Sequence, residues 1–268
     1  MSATLIILLS ATLYLVAGIL AAQNSNSMSS GLSSSRIALC VAFILNAYVI
    51  RQAYTTGELN FSISSGLYWI TTITALVYFL STLAMPIRRV GNFLLPTCGA
   101  CLVIGLILNP GTTGSIPSEY RSNAAFTSHI VVSLFAYAVF ALASFQALLL
   151  TTQEKKLTQA DKDSILDRLP PLQTMEIILF RLLVVGFVLL SATLVSGVVF
   201  SQSIFGQPFS FTHHIVLTSM AWIVFAILLW GHYQRGWRGR QAARWTLAGF
   251  SLLVLGYFGT KVVQALIG

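Results

Sequence analysis

The sequence predicts an all-α, polytopic integral membrane helix bundle of about eight transmembrane helices. Three observations carry that reading. Hydrophobic residues make up 56% of the 268-residue chain and charged residues only 8%, at a mean hydropathy of +0.82; soluble domains carry about 25% charge. The apolar residues fall in runs that reach or approach the ~20 needed to cross a bilayer. A chain in hydrocarbon must satisfy its own backbone polar groups, which uninterrupted runs of this length do as helices. Residues 1–268 are expected to form a single transmembrane domain.

The first run, Ala3 to Ala22, has no basic residue before it and no small-residue cleavage site, and so reads as a retained span rather than a signal peptide. NSNSMSSGLSSS, Asn24 to Ser35, is a polar loop. The second run, Ile37 to Tyr54, is the weakest, because Asn46 interrupts it and Arg51 lies near its end. Gly66 to Met85 and Val90 to Leu108 follow as the third and fourth. The second half adds Ser128 to Thr151, Thr174 to Phe200, His214 to His232 and Ala242 to Ile267.

A net charge of +8 would suggest nucleic acid as the partner of a soluble protein. Here the basic residues sit in short loops between apolar runs, so membrane topology explains them and no nucleic-acid partner is expected. One set of alternate loops carries Arg36, Arg88, Arg89, Lys155, Lys156, Lys162, Arg168, Arg235, Arg238, Arg240 and Arg244. The other carries only Arg51, Arg121 and Lys261, and Arg181 lies within a span. The positive-inside rule then puts the basic loops in the cytoplasm and both termini outside. RGWRGRQAAR, Arg235 to Arg244, resembles a phosphate-binding patch, but anchoring at the membrane surface accounts for it.

The same orientation gathers chemistry on the outer side. His129, His213 and His214 lie there, and only His232 lies at the other end. The loop before His213 carries Phe205, Phe209 and Phe211. Two imidazoles beside a cluster of aromatic rings suit a flat, apolar, metal-centred ligand, of which heme is the obvious candidate. The plainer alternative is an interfacial belt of rings, with histidines that merely open helices after Thr127–Ser128 and Thr212.

Other features read as structural. Cys98-Gly-Ala-Cys101 has redox-motif spacing, yet it falls inside a span where a thiolate is costly, so the pair reads as small packing residues. Glu176 and Arg181 are five residues apart on one span and share no helical face, so each is expected to find its own partner or, for Arg181, to snorkel. No nucleotide-binding glycine loop, HExxH motif or nucleophile–base pair is present, and only Glu58 and Glu119 bring acidity near the outer surface. These absences leave no evident enzyme chemistry and little support for a cation site.

Three stretches carry a family resemblance: SHIVVSLFAYAVFALASFQALLLTTQEKKL (Ser128 to Leu157), MEIILFRLLVVGFVLLSATLVSGVVF (Met175 to Phe200) and MAWIVFAILLWGHYQRGWRGRQAARWTLAGFSLLVLGYFG (Met220 to Gly259). Together they resemble the cytochrome c assembly family that includes CcsA and CcmC, and within it the bacterial inner-membrane branch labelled YpjD or HemX. The likeness extends upstream to GELNFSISSGLYWI, covering about residues 57–266. It implies a heme-handling membrane protein tied to cytochrome c assembly or heme trafficking, with heme as cofactor and assembly proteins as partners.

In that family an outer WGxxWxWD-type loop forms the heme surface, flanked by outer histidines as axial ligands. By position, His129 matches the first of these histidines and FGQPFSF, Phe205 to Phe211, matches the loop, with phenylalanines for tryptophans and Thr212 for the aspartate. The second histidine is missing from YFGTKVVQALIG, leaving His213 and His214 as the substitutes. These departures point away from synthase activity. Two other readings stand beside this one: a non-catalytic accessory or regulatory subunit of a membrane transporter, and a small-solute transporter. Accessibility labelling of single cysteines should find the Arg235 to Arg244 loop on the cytoplasmic side; labelling from outside would reverse the topology.

Overall fold

The computed structural model describes residues 3–23, 34–56, 63–84, 90–108, 123–159, 171–199 and 213–259. They form eight helices: α1 (Ala3–Gln23), α2 (Ser34–Thr56), α3 (Ile63–Ala84), α4 (Gly91–Ile107), α5 (Ala124–Gln159), α6 (Leu172–Val199), α7 (His213–Arg235) and α8 (Gly239–Val254), the last running into a π turn at Leu255–Gly259. No strand occurs among the described residues. Six of the helices are long and apolar enough to cross a membrane. The other two are short, α4 with 17 residues and α8 with 16 before its π turn. The protein is a polytopic membrane helix bundle. The described residues divide into two compact units, Met1–Ile116 and Pro117–Gly268.

In the first unit α1 packs against α2 and α4, and α3 against α4 and α2. Small residues bring α1 and α4 together. A Cβ at Gly99 would lie 2.9 Å from the Ala11 carbonyl oxygen, and one at Gly18 would lie 2.7 Å from Pro96 Cδ. Cys98 is buried on α4, and neither it nor Cys101 is in a disulfide. Asn46, which weakens the second run on paper, is fully buried and fully used. Its Nδ2 donates to the Tyr14 hydroxyl at 2.9 Å, and the Tyr68 hydroxyl donates to both its Oδ1 and its carbonyl at 3.0 Å. Three helices are thus joined by one polar knot, in surroundings where an unmade hydrogen bond is expensive.

The second unit is a ring of four helices in which α5 neighbours α6 and α8, and α7 neighbours α6 and α8. At its centre Phe140 of α5 and Phe225 of α7 stack across the diagonal, with ring centroids 3.9 Å apart. Glycines on the other two helices make room for them. A Cβ at Gly186 would sit 3.0 Å from the Phe140 ring, and one at Gly249 would sit 2.6 Å from Phe225 Cζ.

α5 starts earlier than the sequence predicts. Its cap is Asn123, whose Oδ1 accepts the N–H groups of Ala125 (3.0 Å) and Phe126 (3.4 Å). Thr127 and Ser128, read as capping residues, lie inside the helix, and the Ser128 hydroxyl turns back to the Ala125 carbonyl. An amide oxygen reaching two orphan donors is the stronger cap.

Glu176 and Arg181 part company as their spacing requires. Glu176 accepts the Gly239 N–H at 2.7 Å and so closes the N-terminus of α8, whose own cap residue Arg238 makes no side-chain bond. Arg181 is exposed on α6, and no acidic partner lies in reach among the described residues.

Gly249→Ala should overpack the Phe140–Phe225 layer and destabilise the purified protein by about 1–3 kcal/mol, read as a lower melting temperature in detergent. Gly249→Ala combined with Phe225→Leu should recover part of the loss. Asn46→Ala should cost about 1 kcal/mol for each bond it strands in the Tyr14–Tyr68 knot, in the same assay.

Candidate functional site

The end of the second unit opposite Glu176 is built by the start of α5, the end of α6, the start of α7 and the π turn after α8. Each contributes something specific. His129, in the second turn of α5, lies half-buried over Gly197 of α6, where an added Cβ would be only 3.3 Å from its Cε1. A side chain at position 197 would require the ring to give by a few tenths of an ångström.

One ring nitrogen of His129 is anchored by a hydrogen bond. Its Nδ1 is 2.8 Å from Ser196 Oγ, and the same hydroxyl lies 3.0 Å from the Thr193 carbonyl. With the serine proton on that carbonyl, Ser196 accepts from a protonated Nδ1 and Nε2 carries the lone pair; with the proton turned to the ring, the roles reverse. No partner for Nε2 is present among the described residues. A neutral imidazole with one nitrogen anchored and the other open is the form that ligates metals.

α7 brings the second imidazole. Consecutive helical residues are rotated by about 100°, so His213 and His214 cannot face the same way. His213 is exposed, whereas His214 is half-buried. His214 opens α7 at the same end of the unit as His129 on α5. The His214 carbonyl accepts the Thr218 hydroxyl at 2.8 Å, and both groups border Gly256 of the π turn.

The π turn brings tyrosines to the same end. Tyr257 meets Tyr137 of α5 edge to face at 5.9 Å, and the Tyr137 hydroxyl donates to the Leu253 carbonyl at 3.1 Å. A side chain inserted into the backbone ladder is a known cause of helix widening, and the π turn starts two residues beyond Leu253.

Of the sequence-predicted site residues, then, His129 and His214 lie half-buried at one end of the unit and His213 lies exposed beside them. Phe205, Phe209 and Phe211 lie outside the described residues, as do Arg88, Arg89, Arg121, Lys162, Arg168 and Lys261. No group of three or more His, Cys, Asp or Glu side chains converges to hold a metal ion among the described residues. Sequence reasoning passed over Ser196, Gly197, Gly256 and the two tyrosines. The only available signal was a Ser-Gly pair in the last turn of an otherwise apolar run.

His232 stands at the far end and is committed there. Its ring stacks on Phe180 at 3.4 Å, and its Nδ1 is 2.9 Å from the Trp237 carbonyl.

Family comparison bears on this arrangement. The family described as Cytochrome C assembly protein matches residues 1–267. The chain belongs to the cytochrome c assembly protein family. Its relatives include Inner membrane protein YpjD of Escherichia coli (strain K12), 36% identical over 184 residues that make up 67% of each chain. Protein HemX of Brevibacillus brevis is 23% identical over 158 residues, 59% of this chain and 58% of that one. Cytochrome c biogenesis protein CcsA of Chlamydomonas reinhardtii is 24% identical over 208 residues, 74% of this chain and 55% of that one. No solved structure matches. His129, Ser196, His214 and Tyr257 all lie within the matched region of this membrane protein of the cytochrome c assembly family.

Ser196→Ala should cost about 1 kcal/mol or less in stability while releasing the His129 tautomer. Nitrogen-15 NMR of histidine-labelled protein should report one tautomer in the parent and a mixture in the variant. An unchanged spectrum would show that Ser196 does not set the proton.

Proposed function

We propose that this protein binds heme at the His129–His214 end of its second unit and handles it in cytochrome c assembly or heme trafficking. The observation that supports the reading is the Ser196 hydrogen bond, which engages His129 through Nδ1 alone, while α7 opens with a half-buried His214 at the same end. The donor set fits the group. Imidazoles on two separate helices suit a metal-centred macrocycle, and nothing among the described residues builds the denser cage of a bare metal ion. Heme would supply a redox-active iron. His129 and His214 would hold it, Ser196 and Gly197 would seat the first, and Phe205, Phe209 and Phe211 would give apolar cover to the ring.

The family supports the same reading, since its members include a cytochrome c biogenesis protein. An inner-membrane location agrees with the name of the Escherichia coli relative. With the basic loops in the cytoplasm, both termini and the histidine end face the periplasm. Phenylalanines lack the indole N–H that a tryptophan loop offers to polar groups of the ligand, so the proposed task is binding and passage without thioether synthesis. Cytochrome c assembly proteins are the expected partners.

Absorption spectra of detergent-purified protein, before and after added heme, test this. The parent should show a Soret band with two-imidazole features, His129→Ala and His214→Ala should each abolish those features, and His213→Ala should keep them. A band indifferent to both His129 and His214 would move heme to another site. No band after reconstitution would reject heme and favour an accessory subunit, to be sought as a copurifying membrane partner.

A further inference from the structure

We propose that the turn between α7 and α8 is a preformed platform for the headgroup of an anionic phospholipid, held by Arg235, Arg238 and Arg244. An anchoring loop needs only positive charge. This turn is also rigidly built. Gly236 and Gly239 both adopt left-handed backbone, with φ of 67° and 54°, a conformation that other residues enter at a cost. The Gly236 N–H donates to the His232 carbonyl and the Trp237 N–H to the Gly231 carbonyl. The Trp237 indole lies against Gly231, where an added Cβ would be 2.5 Å from the ring, and stacks on Trp245 of α8 at 5.5 Å. His232 clamps the Trp237 carbonyl from α7 while its own ring is held by Phe180 of α6.

Among the described residues, charge in the turn divides into a part that is compensated and a part that is not. The described residues include only two acids, Glu154 and Glu176, and both are used beneath the turn. Glu154 pairs with Arg240 at 3.4 Å, and Glu176 takes the Gly239 N–H at the start of α8. The helix N-terminus is therefore already filled by a carboxylate and is not the anion site. Arg235, Arg238 and Arg244 remain exposed, with no acidic partner in reach among the described residues. Guanidinium groups bind phosphate oxygens in pairs.

Position selects the lipid over other anions. The apolar span of α7 ends at Arg235, so the turn sits where headgroup phosphates lie. Trp230 is 53% and Tyr233 72% exposed just below it, as aromatic residues at a bilayer boundary are. The Arg235 guanidinium lies over the Trp230 ring at 5.0 Å, joining the aromatic surface to the charged one.

Native mass spectrometry of the purified full-length chain, incubated with phosphatidylglycerol or phosphatidylcholine, tests the proposal. The parent should retain phosphatidylglycerol in preference. Arg235→Gln/Arg238→Gln/Arg244→Gln should retain about a hundredfold less, in line with what three basic residues contribute at an anionic surface. Arg36→Gln/Arg51→Gln/Lys155→Gln, which removes as much charge elsewhere, should retain as much as the parent. Should the triple turn variant lose its helical circular dichroism, Arg238→Gln alone, at an exposed cap position, should still reduce retention about fivefold. Equal loss in the control variant, no preference for the anionic lipid, or displacement of the lipid by inorganic phosphate would each overturn the proposal. Heme absorbance does not enter any of these readouts, so the outcome is independent of the heme reading.

Discussion

The second unit depends on a single contact made across its diagonal. Phe140 and Phe225 approach one another through the space that four helices enclose, and they can do so only because α6 and α8 present glycine at that level. In lipid there is little hydrophobic gain from bringing helices together, so close packing has to do much of the work. Two rings facing two glycines set how far apart the four axes stand. That spacing then decides, several turns away, whether a ring on α5 can rest on α6.

Both ends of the unit obey a second constraint, that polar groups in or near hydrocarbon must be matched. At one end Glu176 closes a helix that has no cap of its own, and Glu154 takes the charge of Arg240. At the other, the Ser196 hydroxyl stands between the Thr193 carbonyl and the His129 ring. The first arrangement holds the fold. The second fixes the ring through Nδ1 alone among the described residues. Asn46 shows the same economy in the first unit, where a residue that looks like a flaw in a span ties three helices together.

The helices were legible because length and hydropathy determine a span almost by themselves. The early start of α5 was not, since Asn123 lies upstream of the apolar run and caps it from outside. Histidine placement was half legible. Gathering His129 and the His213–His214 pair at one end needs only the order of spans, but choosing His214 over His213 depends on the rotation of α7 about its own axis. Ser196 and Gly197 left almost no trace, because a serine in a membrane helix more often serves its own backbone and a glycine there more often marks helix contact. Their meaning comes from what faces them across α5.

The bond between Tyr137 and Leu253 has an effect on phase. An α-helix advances by about 100° per residue, and a π turn takes up an additional residue without advancing the helix correspondingly. Tyr257 and Phe258 are thus turned from where an unbroken α8 would have aimed them. A phenol proton on α5 occupies the Leu253 carbonyl, two residues before the π turn begins. The rotation that sets Tyr257 against Tyr137 is tied to a neighbouring helix, and a length change of one residue in LGYFG would reset it.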